Sequence, residues 1–359
     1  MIVGAGTFGA GLAWWLGRRG DEVVLVDQLE PGDPRATSGG ETRLLRCAHG
    51  ADADYAAMAR RARELWRELE AETGEALLLE CGVCWFARSE HGWEAAAEPV
   101  LAELGVPVER LAAAPFPSFR GDDLAFVLHE PEAGVLRAQR AVRALVAASG
   151  AELVRARARP RGGAVALDDG RVLEGDRVVW ACGCWLRDLF PELAQLRVTA
   201  QELFFFRGGP DWEDAPGWVD YDGAIYGTGD VDGLGVKAAP DVEGPPVAPD
   251  AELPAAGAEG ERRAREYLAM RFPALADAPL AGSKTCRYEI SVDSHFIAAP
   301  HPEHPAVWLV GGGSGHGFKH GPAMAERLAA AWHGGAPLPA RFRLGERVPG
   351  GALRTAGTA

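Results

Sequence analysis

Apolar residues open the chain in two short runs, Met1-Ile2-Val3 and Val23-Val24-Leu25-Val26, separated by a glycine-bearing turn and a helical stretch from Ala10 to Arg19 that Gly20 ends. The arrangement predicts strand, turn, helix, strand, a βαβ opening. Only three residues precede Gly4, which is short for a buried parallel strand, so either that strand is truncated or the chain start lies late. Residues 29–50 are rich in Pro, Gly, Ser and Thr and predict an ordered loop passing into something more regular. An amphipathic helix follows at 52–73, with Leu65, Trp66 and Leu69 on one side, then a strand at 82–87. The acidic helix at 92–104 reads as an insertion away from the opening turn. Gly134-Val135-Leu136 leads into a helix that closes near 150, and Ala151 to Val154 predicts a parallel strand. A hairpin is expected around Gly162-Gly163 and Asp168-Asp169-Gly170, and the apolar run 177–183 predicts a central strand of an open sheet.

From 198 to 240 the pattern changes to short strands with turns: 203–206, 223–227 and 233–238. They predict an antiparallel sheet in a second part of the fold. Residues 242–260 predict an exposed loop and 260–271 a helix. Val307 to Val310 followed by three glycines predicts strand and turn, and Met324 to Trp332 a helix. No internal repeat is present. The fold class is therefore α/β, with a nucleotide-binding part interrupted twice by pieces of an α+β part.

The 359 residues suffice for a large core and suggest two domains. No run of eighteen apolar residues and no cationic leader are seen, so a soluble, cytoplasmic protein is expected. The 37 basic against 51 acidic residues leave a formal charge of −14, which argues against nucleic acid or anionic membrane as partners. A small anionic substrate would then need a local positive pocket. Of six cysteines, Cys81 and Cys84 have CxxC spacing but no second pair or histidine pair downstream. They read as buried free thiols, and no metal site is expected.

The loop Gly4-x-Gly6-x-x-Gly9 lets backbone approach a pyrophosphate at a helix N-terminus, where unpaired N–H groups favour anions. Asp27, eighteen residues after Gly9, is placed to accept ribose hydroxyls, which argues for a cofactor without a 2′-phosphate. Both NAD and FAD enzymes use such a loop. A lysine, a cysteine and further glycines then gather near the other end, in Lys284-Thr285-Cys286-Arg287-Tyr288, Asp293-x-His295-Phe296-Ile297 and Gly313-Ser314-Gly315-His316-Gly317-Phe318-Lys319.

These blocks, with Gly4-Ala-Gly-Thr-Phe-Gly9 and Glu41-Thr42-Arg43-Leu44-Leu45-Arg46, resemble the monomeric sarcosine oxidase and N-methyltryptophan oxidase family of FAD-dependent amine oxidases, within the D-amino acid oxidase superfamily. The likeness runs over almost the whole chain in order. It implies a discontinuous Rossmann-like FAD-binding domain (1–81, 134–197, 291–359) and a substrate domain with a mixed or antiparallel sheet (82–133, 198–290). It implies FAD joined by a thioether to Cys286, with Lys284 and Arg287 favouring the thiolate. Further cofactor contacts are implied at Gly4, Gly6, Thr7, Phe8, Gly9, Asp27, Thr42, Arg43, Gly183, Trp185, Gly313, Gly315, His316, Gly317, Phe318 and Lys319.

The same likeness implies that Arg46 and Lys319 clamp a substrate carboxylate, a planar fork beside a movable point charge. It implies that Lys237 assists the reaction with O2, that Tyr226 and Tyr288 line the substrate cavity, and that His316 faces the flavin. Read without the resemblance, each of these has a plain alternative: Arg46 and Lys237 pointing to water, Lys319 in a capping turn, and the tyrosines as sheet residues with solvated hydroxyls. The family's histidine four residues past the matching lysine is here Asp241, and the histidines before the arginine pair are replaced by Ser38-Gly39-Gly40, so sarcosine itself is an unpromising substrate. The expected activity is oxidation of a secondary amine in an N-methyl or cyclic α-amino acid, with hydride passing to flavin N5, an imine product and O2 reduced to H2O2, by a monomer. The alternatives are a flavin-dependent dehydrogenase with another electron acceptor and a non-enzymatic nucleotide-binding module; an NAD-dependent dehydrogenase is disfavoured by the interrupted domain and by Cys286.

Overall fold

Two sheets of different make-up organise the chain in the computed structural model, which describes residues 1–349. The first has six strands in the order Ile297–Pro300, Val307–Gly311, Val178–Trp180, Ile2–Val3, Val24–Asp27, Glu152–Arg155. All neighbours are parallel except the outermost pair, Ile297–Pro300 against Val307–Gly311. The opening strand is only two residues long, yet it is central: Ile2 pairs with Val179 and Leu25, and Val3 with Trp180 and Val26. Apolar side chains on both faces bury it, as a parallel sheet requires. The helices Thr7–Gly17, Ala53–Thr73, Ala138–Ser149 and Gly321–Trp332 contribute to the core on one face of this sheet.

The second sheet has eight strands, Leu280–Ser291, Leu196–Phe206, Val236–Pro240, Ile225–Asp230, Gly217–Asp220, Val83–Ala87, Phe126–Glu130 and Glu109–Leu111, and is antiparallel except between Gly217–Asp220 and Val83–Ala87. Phe86, Phe116, Trp212, Trp218 and Phe272 form its aromatic core with Ala264 and Leu268 of the helix Ala258–Arg271. Among the described residues no helix is long and apolar enough to cross a membrane.

Three elements differ from the sequence expectation. The strand expected at 203–206 begins at Leu196, because Val198 and Ala200 are buried against a partner that the local pattern does not reveal. That partner is the twelve-residue strand Leu280–Ser291, whose polar Lys284, Thr285 and Arg287 masked its strand character. The last helix begins at Gly321 rather than Met324, with Pro322 in its first turn, where a missing N–H costs nothing.

The tail is locked onto the head. Thr7 Oγ1 donates to the carbonyl of Phe318 at 2.8 Å, and Trp66 Nε1 donates to the carbonyl of Lys319 at 2.8 Å while its ring stacks on Phe318 with centroids 6.1 Å apart. Trp66→Phe removes the donor and leaves a buried carbonyl unpaired. A loss of about 1–3 kcal/mol in chemical denaturation is expected; an unchanged midpoint and slope would show that the bond is immaterial.

Candidate active site

A cavity of about 520 Å³ runs along the carboxyl ends of the six-stranded sheet, between the opening turn and the loop after Val307–Gly311. Gly4, Gly6, Thr7, Phe8, Asp27, Arg43, Gly183, Trp185, Gly313, Gly315, Gly317 and Phe318 all line it. The helix Thr7–Gly17 has no side-chain cap on its N-terminal residue Gly6; Thr7 and Phe8 of its first turn line this space, and Thr7 N donates to Ser38 Oγ at 3.0 Å. Two glycines make the turn possible. Gly4 has φ +106°, and a Cβ there would sit 2.3 Å from the carbonyl oxygen of Ala181; one on Gly9 would sit 1.8 Å from that of Gly4. Asp27 accepts from Ala5 N at 2.6 Å and Leu29 N at 2.7 Å, and burial raises its carboxyl against those two bonds. A carboxylate has about four acceptor sites, so it retains capacity for ribose hydroxyls. Buried Ser314, at φ +46°, is held in the left-handed region by bonds from its N–H to Glu289 O and from its hydroxyl to Gly312 O.

A second cavity, of about 90 Å³, adjoins the first. Its walls carry Arg46, Lys319, Tyr226, Tyr288, Asp241 and His316, so the structure brings six sequence-predicted residues together from five separate stretches of chain. Arg43, Tyr288, Gly315 and Phe318 line both spaces and mark where they meet. Arg46 lies over the Trp85 ring, 4.9 Å from its centroid, and donates to Ala48 O at 2.5 Å; burial lowers it to about 10. Lys319, in the short helical turn Phe318–His320, donates to His316 O at 3.0 Å, and burial followed by Arg46 holds it well below the ordinary lysine value. Two desolvated cations side by side favour an anion between them. Tyr226 and Tyr288 bond each other through their hydroxyls at 3.1 Å rather than facing solvent. His316 stacks on Phe296 with its Nε2 at 3.0 Å from Ser294 O. His316 and Lys319 line the smaller space, not the longer one.

Cys286 and Lys237 lie outside the walls of both cavities, as do Thr42 and Gly9. Cys286 packs with Tyr226, Tyr288, Leu203, Phe205 and Ala239, and the Lys237 Nζ lies 5.1 Å from the Tyr226 ring centroid, so both sit against the tyrosine wall of the smaller space. Burial, with Arg43 next, lowers Lys237 to about 7. Burial raises the Cys286 thiol, opposed by Arg43, Lys237 and Lys284 in that order. The expected help from Arg287 is corrected: along a strand the next residue faces the other way, and Arg287 donates to the carbonyls of Arg35 and Ala251. Lys284, on the face of Cys286, pairs with Glu41 at 2.7 Å.

Several participants escaped sequence reasoning. Trp85 and Tyr221 line the smaller cavity, and Trp93 packs on both, with ring centroids 4.8 and 4.7 Å away. The helix Trp93–Glu103, distant from the opening turn, thus buttresses the smaller cavity. Buried Glu289 lines the longer cavity with one carboxylate oxygen lacking a partner. Buried His49, His316 and His320 bring ligand-capable nitrogens within 4.8 Å of one another. Burial, then Arg46 and Lys319, hold His49 well below its ordinary value, and the same two cations oppose a divalent ion there. The strand-turn-helix glycine cradle, first helical turn and unpartnered Glu289 oxygen suit an elongated dinucleotide in the longer cavity.

A family profile described as FAD dependent oxidoreductase matches residues 1–331, and the chain belongs to that family. Monomeric sarcosine oxidase of Bacillus sp. (strain B-0618) is 28% identical over 354 residues, covering 92% of this chain and 90% of that protein. N-methyl-L-tryptophan oxidase of Yersinia pestis (strain Pestoides F) is 26% identical over 376 residues, covering 96% and 99%. The solved structure of NikD, an amino acid oxidase essential for nikkomycin biosynthesis, shares the fold with a TM-score of 0.78 at 22% identity over 98% of this chain and 97% of its own. L-proline dehydrogenase from P. horikoshii does so with a TM-score of 0.82 at 19% identity over 95% of each. The family and fold expected from the motifs are those found.

Proposed function

We propose that this protein oxidises a secondary-amine α-amino acid, N-methylated or cyclic, using FAD tethered through Cys286 and O2 as the final acceptor. The observation that carries the reading is the small cavity in which Arg46 and Lys319 share the walls with Asp241, Tyr226 and Tyr288 and which opens on the cofactor-sized cavity. Bound there, FAD supplies acceptance of a hydride and return of two electrons to O2 as H2O2.

The chain's own residues bind and orient. Arg46 and Lys319 receive the carboxylate, where both cations have already lost water, and this fixes the α-carbon toward the shared wall. Asp241 supplies a carboxylate for the amine, and the phenols of Tyr226 and Tyr288 with the indole of Trp85 exclude water around a small apolar ring or N-methyl group. Lys237 places a buried cation beside the same tyrosines, suited to negative charge that develops as O2 takes an electron. Burial raises the Cys286 thiol, and the charges of Arg43, Lys237 and Lys284 oppose that rise in favour of the thiolate. A division into a cofactor domain (1–81, 134–197, 291–359) and a substrate domain (82–133, 198–290) is part of the proposal; the strands of the two large sheets follow it to within two residues.

The deciding experiment is acid precipitation of the purified protein. The pellet is expected to stay yellow, whereas Cys286→Ser releases its flavin into the supernatant; a colourless wild-type pellet rejects the tether. Arg46→Ala is expected to weaken carboxylate-bearing inhibitors by roughly 1.5–3 kcal/mol, the scale of a charged hydrogen bond, as read by spectral titration. Unaltered affinity would remove Arg46 from the clamp. In stopped-flow work Lys237→Met should slow reoxidation by air by about a hundredfold or more and anaerobic reduction far less; equal slowing of both halves would cancel its assigned role.

A further inference from the structure

Glu289 is a buried acid that no ion pair accounts for. It is 5% exposed and lies on the strand Leu280–Ser291 three residues beyond Cys286. Its Oε1 accepts from Gly313 N at 3.1 Å, and its Oε2 has no hydrogen-bond partner. Oε2 lies 3.4 Å from where a Cβ on Gly183 would stand, and Oε1 3.4 Å from where one on Gly313 would stand. The carboxyl is thus wedged between two glycines that line the longer cavity, which Glu289 itself lines.

The surroundings decide its charge. Among the described residues no cation lies within ion-pair distance. The titratable groups that face it are the thiols of Cys182 and Cys184, both raised by burial, and Cys182 donates to Val3 O at 3.3 Å. Arg287, two residues earlier and on the same face of the strand, donates through its two terminal nitrogens to the carbonyls of Arg35 and Ala251, leaves its Nε without a partner, and makes no ion pair with Glu289. The neighbouring Ser314 offers Glu289 only a backbone bond, from its N–H to the Glu289 carbonyl, while its hydroxyl is used by Gly312 and Ser291. An unpaired buried carboxylate is costly, so burial raises the carboxyl to about 7 and favours the protonated form below that pH. A neutral acid carries one O–H to donate.

We propose that Glu289 is a proton-carrying ligand of the cofactor, donating its O–H to an oxygen of the ribityl-pyrophosphate span of FAD. The inference rests on FAD occupying the longer cavity and not on the thioether. An ionised Glu289 could neither donate nor sit comfortably beside a dianionic diphosphate, so affinity depends on the proton. Below the free-protein value the acid is already neutral and affinity is flat; above it, each binding event must take up a proton, and affinity falls as pH rises.

The test uses Cys286→Ser protein freed of flavin and titrated with FAD, by fluorescence quenching, between about pH 5.5 and 9. Affinity is expected to be constant up to about 7 and then to fall toward about tenfold per pH unit. Adding Glu289→Gln, which keeps a donor and cannot ionise, should flatten the profile. Parallel titration with ADP-ribose, whose diphosphate is esterified at both ends and does not titrate in this range, locates the acceptor: a shared pH dependence assigns it to the pyrophosphate, and one confined to FAD assigns it to the ribityl chain. A profile that is the same with Glu and Gln, or wild-type affinity that rises with pH, overturns the proposal. Infrared spectroscopy of the flavin-loaded wild-type enzyme decides it without any mutant in Cys286: a protonated-carboxyl stretch must be present, and absent from Glu289→Gln alone. Flavin that resists release from Cys286→Ser would count against the thioether, and the infrared band would still settle Glu289.

Discussion

The hydrogen bond from Thr7 Oγ1 to the carbonyl of Phe318 joins positions 311 residues apart and fixes the register in which tail meets head. Thr7 opens the helix whose first turn lines the longer cavity, and Phe318 precedes the lysine that lines the smaller one. Closing a loop of that length has an entropic cost that one hydrogen bond cannot offset. Burial of Phe318, Met324, Ala325 and Leu328 against Phe8, Leu12 and Trp66 supplies the rest. The tail therefore returns to the head because of its apolar face, and the hydrogen bonds from Thr7 and Trp66 set its register.

Once closed, the fold buries basic groups whose charged forms its water-free surroundings disfavour. Arg46 and Lys319 are both lowered by burial, and Lys237 falls to about 7. A desolvated cation is stabilised by an anion that reaches it, so burial of these groups favours anions in their neighbourhood. Glu289 is the counterpart on the other side of the tyrosine wall: an acid left without a cation, and so raised to about 7 by its burial. The overall charge of −14 thus coexists with a small cavity walled by Arg43, Arg46 and Lys319.

Much of this was legible in the residues themselves. The glycine turn, Asp27, the 52–73 helix and the apolar strand at 177–183 follow local rules of turn chemistry and periodicity, and the structure places each where expected. The resemblance carried by the later motifs pointed to Arg46, Tyr226, Tyr288, Asp241, His316 and Lys319, which share one cavity. Trp85, Trp93 and Tyr221 were invisible because nothing in a short aromatic-bearing strand or helix says which remote wall it will join. Arg287 misled for a related reason: adjacency in sequence looked like adjacency in space, whereas an extended strand sends neighbours to opposite faces.

What the amino-acid order determined alone was therefore the set of local elements and the residue types able to do flavin and carboxylate chemistry. Only the tertiary structure decided that Cys286 answers to Arg43 and Lys237 rather than to Arg287, that His316 and Lys319 border the smaller space, and that Glu289 stands unpaired beside the longer one. The physical reason is range. Turn and helix preferences act within a few residues, but charge, desolvation and cavity shape arise from the pairing of Leu196–Phe206 with Leu280–Ser291 and from the closure of the chain's tail on its opening turn.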